Sequence, residues 1–213
     1  MNKNEKFVIT INRELGSGGR TVGEKLAAKL GVPFYDKALI KALTKKYNLT
    51  VEEIEKLKGR SHSWWADFMR VVSVGQGIID VAIPSYASIH ESYPQTTGEM
   101  FRAEKEILEE IAEEESCIIA GRTAFFIMKD HPNRLSILIH APMENRIARL
   151  MRKQGMSREE AEKTIKKVDK MRENYVNKYT DTSRYDTHNY DLVISTDGKT
   201  EEEVADMILQ YIG

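Results

Sequence analysis

A single cysteine, Cys117, in 213 residues excludes an internal disulfide framework and any cysteine-based zinc cluster, and it fits a reducing cytoplasm. No apolar run approaches the roughly 20 residues needed to span a bilayer. Residues 1–5 lead directly into a strand-like segment without a signal-peptide pattern, so the sequence predicts a cytoplasmic chain with no membrane partner. Net charge is nearly absent as well, with 32 Lys+Arg against 33 Asp+Glu. Duplex binding needs a basic field, so a polynucleotide partner is not expected. His62, His90, His131, His140 and His188 show no metal-binding spacing. There is no internal repeat and no low-complexity linker. What is present is 41 % apolar and 31 % charged residues, enough for one domain with a buried core and an insertion.

The charge balance is global, not local. Residues 104–115 hold seven acids and one lysine, the pattern of a solvated helix face. Residues 146–178 hold eleven Lys or Arg against five acids. Arg146, Arg149 and Arg152 stand at three-residue steps, which places them on neighbouring faces of one helix.

Five short apolar runs read as strands: Phe7–Ile11, Val32–Tyr35, Cys117–Ala120, Leu135–Ile139 and Asp191–Ser195. Between them lie helical patterns. One covers 21–30 and ends at Gly31 with Pro33 beyond it; another covers about 97–115; a third has Pro142 at its first position. Thr50–Glu53, Ser157–Glu160 and Thr200–Glu203 each place Ser or Thr three residues before Glu, as a capping box does. Asp36 is placed to cap a helix carrying Leu39, Ile40 and Leu43. Residues 60–97 mix Trp64, Trp65 and Phe68 with Gly75, Gly77 and Pro84, and periodicity does not set their boundaries. Alternating strands and helices predict an α/β fold, a mostly parallel sheet covered on both faces.

The segment Ile9–Thr21 (ITINRELGSGGRT) runs strand, glycine loop, helix. Backbone N–H groups in such a turn converge on an anion, and the positive end of the helix dipole adds to the attraction. The phosphate loop Gly-x-x-x-x-Gly-Lys-Ser/Thr fits in neither of two registers. Setting Gly19-Arg20-Thr21 on Gly-Lys-Thr leaves Glu14 where the first glycine belongs. Aligning Gly18 instead leaves Gly19 at the lysine. A dinucleotide fingerprint fits less well, because Gly16-x-Gly18-x-x-Thr21 lacks the third glycine.

The run Asn12–Gly23, with Pro33-Phe34-Tyr35-Asp36, Gly121-Arg122, Asp169-x-x-Arg172 and Asn189-Tyr190-Asp191-Leu192, resembles the cytidylate kinase-like family, a branch of the P-loop nucleoside monophosphate kinases. The resemblance touches nearly the whole chain except about residues 45–97. It implies a three-layer P-loop kinase fold over 1–213, a five-stranded parallel sheet with helices on both faces. Residues 45–116 would form a helical, acceptor-binding insertion, and about 146–188 an arginine-bearing lid. Cytidylate kinases carry the full Gly-Lys-Ser loop; this chain departs from it.

Phosphoryl transfer needs a cradle for the donor phosphates, magnesium, and cations around the moving group. Gly16, Ser17, Gly18 and Gly19 supply the cradle, Arg20 the lysine's charge, and Thr21 the magnesium contact. Asp36 closes the second strand at the sheet edge where α/β folds bind ligands, and by resemblance faces the acceptor. Arg122 follows a buried strand at the same edge, and by resemblance holds the acceptor phosphate. Asp169 and Arg172 stand one turn apart, and in the kinase reading Arg149 and Arg172 flank the phosphates, with Arg184 closing the lid. The expected activity is ATP- and magnesium-dependent transfer to a small-molecule acceptor, a nucleoside monophosphate such as CMP or dCMP. Two alternatives stand beside it: a nucleotide-binding regulator with little turnover, and a kinase of a non-nucleotide acceptor. The aromatics of 60–97 are compatible with a homodimer contact or with base stacking.

Overall fold

Val8–Arg13 forms the central strand, β1, and its first four residues are wholly removed from water. A strand buried on both faces must be apolar throughout, which is why Val8, Ile9 and Ile11 run without polar alternation. The exception, Thr10, sits 2.7 Å from Ser136 on the neighbouring strand, hydroxyl to hydroxyl. The computed structural model describes residues 1–36, 98–121 and 123–213.

The described elements follow β1 in the order α1 (Gly19–Leu30), β2 (Phe34–Asp36), α2 (Gly98–Glu114), β3 (Cys117–Ala120), α3 (Ala124–Ile127), β4 (Arg134–His140), α4 (Met143–Gln154), α5 (Arg158–Tyr179), a 3₁₀ turn at Thr187–Asn189, β5 (Leu192–Ser195) and α6 (Glu201–Ile212). The sheet order is β2-β3-β1-β4-β5, with every pairing parallel. All five strands expected from the sequence are present. The second runs Phe34–Asp36 where Val32–Tyr35 is expected, starting two residues later and ending one later, so that it takes in Asp36.

The chain divides into two compact units, residues 1–37 with 108–213, and residues 38–107. The first holds the sheet, α1 and everything from β3 onward. Its core joins Ile9, Ile11 and Ile118 to Val22 and Leu26 of α1 and to Val204 and Ile208 of α6. Residues 98–107 of α2 are the described part of the second unit. The expected helix start at Thr50 and the aromatics Trp64, Trp65 and Phe68 lie outside the described residues, as do His62 and His90.

Local signals set most helix ends. Ser157 and Thr200 each close a full capping box with Glu160 and Glu203. Gly31 turns left-handed after α1 and its N–H donates to the Ala27 carbonyl. Two starts differ from expectation. α1 opens at Gly19 rather than Thr21, because Gly18, at φ 84°, is itself the cap. Pro142 stands one residue before α4, in extended backbone, instead of being its first helical residue.

Candidate active site

β1 lies between β3 and β4; the connection leaving β1 runs toward β2 and the one leaving its neighbour β3 runs toward β4, in opposite directions along the sheet. Parallel α/β sheets open a crevice at such a point. The glycine loop, residues 14–18, leaves β1 at this position and enters α1. Gly16 and Gly18 both take φ 84°, a left-handed backbone that glycine adopts without the Cβ clash other residues suffer. Ser17 is buried between them and donates its hydroxyl to the Glu14 carbonyl at 2.9 Å. Among the described residues, the N–H groups of Gly16, Gly18 and Thr21 meet no protein acceptor, and that of Gly19 makes only a long 3.4 Å bond to Ser17 Oγ. These donors, together with the α1 dipole, form an anion cradle.

The remaining loop groups are tied down from a distance. Asp169, on α5, accepts the Leu15 N–H at 3.0 Å. Arg146, on α4, donates through Nε to the Leu15 carbonyl at 2.8 Å and pairs with Asp169 and Glu14. Glu14 in turn accepts the Ala141 N–H at 3.2 Å. Thr196, after β5, donates to the Ser17 carbonyl at 2.9 Å. Protein groups from three distant parts of the chain thus fix the shape of the cradle.

Arginines surround it. Arg172 Nη1 and Arg184 Nη2 donate to the Arg13 carbonyl, at 3.0 and 2.6 Å, and the Nη1 atoms of both arginines lie within ion-pair range of Asp169. Arg184 also donates to Asn12 Oδ1 at 3.0 Å. It is fully buried, and its Nε and Nη1 make no hydrogen bond among the described residues. Burial, and then the charge of Arg172 beside it, push its guanidinium below its ordinary pKa. Arg149 lies against Gly18: a Cβ added there would come within 3.1 Å of its guanidinium. It also pairs with Glu201 at the start of α6. Arg20 points to the other side of the loop, 2.8 Å from Glu24 and 3.3 Å from Asp36. Asp36 is itself nearly buried.

A strand–cradle–helix at the switch point, ringed by arginines from two later helices, is the arrangement expected of a phosphate-binding kinase fold. The model of the cytidylate kinase-like family matches residues 8–198. The chain belongs to that family. No curated protein matches it. Among solved structures, an uncharacterized protein from Eubacterium ventriosum aligns over 97 % of this chain and 98 % of its own, at 25 % identity and TM-score 0.70. A shikimate kinase from Bacteroides thetaiotaomicron aligns over 97 % of both chains, at 17 % identity and TM-score 0.50. TT1252 from Thermus thermophilus aligns over 98 % of this chain and 96 % of its own, at 19 % identity and TM-score 0.50. The last two likenesses concern the fold, the P-loop kinase fold.

For this cytidylate kinase-like chain the structure brings Gly16, Ser17, Gly18, Gly19, Arg149, Asp169, Arg172 and Arg184 to one place. Arg20 and Asp36 form a pair beside it. Thr21 stands in the first turn of α1, and Arg122 lies outside the described residues. The sequence reading left three groups without a role. Asn12, Glu14 and Tyr190 join the network through Arg184 and Arg146. Tyr190 donates to the Arg184 carbonyl at 2.6 Å and accepts from Asn12. Burial raises its phenol to about 12. No spacing in the sequence could have announced these partners, which lie up to 178 residues apart.

Proposed function

We propose that the chain is an ATP- and magnesium-dependent kinase of a small-molecule acceptor, a nucleoside monophosphate such as CMP or dCMP. One observation carries this reading: the unpaired N–H groups of Gly16, Gly18 and Thr21, held open by Asp169 and Arg146. Oriented donors in a fixed loop suit phosphate oxygens, whose negative charge the arginines balance. Gly16, Ser17, Gly18 and Gly19 would hold the donor phosphates. The Thr21 hydroxyl would hold magnesium together with phosphate oxygens, since the described residues offer no cluster of three His, Cys or acidic ligands. The metal would neutralise charge on the phosphates.

Arg149, Arg172 and Arg184 would face the transferred group or fix the loop that does. Arg20, Arg122 and Asp36 would define the acceptor side, with Asp169 acting on it through the loop and the arginines it holds. An acceptor phosphate oxygen attacks the terminal phosphorus, a new O–P bond forms, the bridging bond to ADP breaks, and no general base is required. We assign acceptor binding to the insertion, taken as 45–116, and lid closure to about 146–188, within one kinase domain spanning 1–213. No described helix is long and apolar enough to cross a membrane. A small nucleotide partner in the cytoplasm, with no polymer, agrees with the near-zero net charge.

The absence of lysine from residues 14–21 favours a second reading, a nucleotide-binding regulator. An ADP-release assay with ATP and Mg²⁺ against a panel of nucleotides and other acceptors separates the readings. Turnover with CMP or dCMP is the expected result. Turnover with a non-nucleotide alone moves the acceptor, and ATP binding without turnover makes the chain a regulator.

A further inference from the structure

Helix α1 opens at Gly19, directly after the left-handed Gly18. Counting the phosphate-loop pattern from Gly18 puts its lysine at Gly19 and its first glycine at Arg13. Arg20 then stands at the Ser/Thr, and the departures at Gly19 and Arg13 fall six residues apart in sequence. In space they touch. A Cβ on Gly19 would lie 2.6 Å from Arg13 Cβ, 3.2 Å from Arg13 Cγ and 3.2 Å from Ile139 Cβ. No side chain fits at position 19 while Arg13 is present, because Cβ atoms do not approach that closely.

The far end of Arg13 is equally constrained. Its Nη1 lies 2.5 Å from where a Cβ on Gly121 would stand, beyond the end of β3. The side chain therefore runs from the end of β1, past the first residue of α1, to the end of β3. It crosses the carboxyl edge of the sheet beside the cradle. Its backbone is fixed by Arg172 and Arg184 on the carbonyl and by Asn12 Oδ1, which accepts the Arg13 N–H at 3.0 Å. Arg20 is held by Glu24 and Asp36.

We propose that Arg13 is a phosphate-binding residue that replaces the loop lysine: the cation enters from the first-glycine position, and Gly19 is small to let it pass. The proposal rests on the kinase reading above. In an ordinary loop the lysine reaches the β- and γ-phosphates, so a guanidinium in its place acts on the same charges. The replacement exchanges a point charge for a planar fork that binds two oxygens at once.

The test uses calorimetric titration of the full chain with AMP-PNP and with ADP, in Mg²⁺. Arg13→Gln keeps the stem and removes the charge; it should weaken AMP-PNP by about tenfold or more and ADP by a smaller factor. Gly19→Lys alone should bind poorly, since Arg13 occupies its space. Arg13→Gly combined with Gly19→Lys restores the pattern's first glycine and its lysine and should return AMP-PNP affinity to within about threefold of the starting chain. That pair tests the exchange independently of any packing lost in Arg13→Gln. AMP-PNP affinity unchanged in Arg13→Gln, or a double variant no better than Arg13→Gly alone, overturns the proposal. If the unmodified chain binds neither nucleotide, the kinase reading falls and this proposal falls with it.

Discussion

Asp169 accepts the N–H of Leu15 through Oδ1 at 3.0 Å, and its other oxygen pairs with Arg146. One carboxylate on α5 thus holds the middle of the glycine loop and sits among three arginines. Arg146 and Arg184 are buried, so their charges depend on this acid and on Glu14. The cost of desolvating a guanidinium is offset only when a partner and hydrogen bonds remain in place.

Replacing Asp169 with Ala should therefore cost about 3–5 kcal/mol of stability, the range for stranding a buried charge. Urea denaturation reads this directly. Asp169→Asn should cost less, because its carbonyl still accepts from Leu15. Equal loss in both would place the energy in shape rather than charge.

Arg20→Ala tests the other cation. With its guanidinium on Asp36 and Glu24, the substitution should lower turnover less than Arg13→Gln does and raise the acceptor KM more. A fall in kcat of about tenfold or more, roughly 1.4 kcal/mol of transition-state stabilisation, would return the lysine's part to Arg20. Steady-state kinetics with the acceptor found by the ADP-release panel decides it.

Gly23→Ala probes packing away from the cradle. A Cβ there would lie 2.5 Å from Phe34 Cε2 and 3.1 Å from Ile11 Cδ1. Alanine gains about 1 kcal/mol in helix propensity, but overpacking costs about 1–3 kcal/mol. The net effect should be a lower Tm by a few degrees. A raised Tm would mean the Phe34 ring moves aside without penalty.

Tyr190 gives an alkaline signature. Burial holds its phenol neutral up to about 12, whereas the unfolded residue ionises near 10. Its stabilising contribution is complete below pH 10 and is lost as pH rises through 12. Tyr190→Phe should flatten stability across that window. It should also loosen the Arg184 carbonyl, which the hydroxyl holds at 2.6 Å. A difference titration of tyrosinate absorbance that shows no step near 12 would contradict the assignment.

Much of the sheet was legible in the sequence, for a local reason. Strands of a doubly covered parallel sheet read as short, mostly apolar runs, as Cys117–Ala120 does and as Leu135–Ile139 does apart from Ser136. Helix ends were legible where a side chain or a glycine closes them, as at Ser157, Thr200 and Gly31. They were misplaced where the decisive group was a backbone conformation. Gly18 capped α1 through its left-handed φ, which no residue spacing reveals.

The site divides in the same way. The sequence by itself determined the glycine loop, the strand entering it, the helix leaving it and the excess of arginine in 146–178, because these depend on neighbours along the chain. Only the tertiary structure decided where each arginine lies and what it meets. Arg184 is buried at the carboxyl end of β1 and Arg149 lies against Gly18. Arg20 turns to Asp36, and Arg13 fills the space that Gly19 leaves. A guanidinium's role depends on which carboxylates and carbonyls lie within about 3 Å of it, and folding brings those partners from distant parts of the chain.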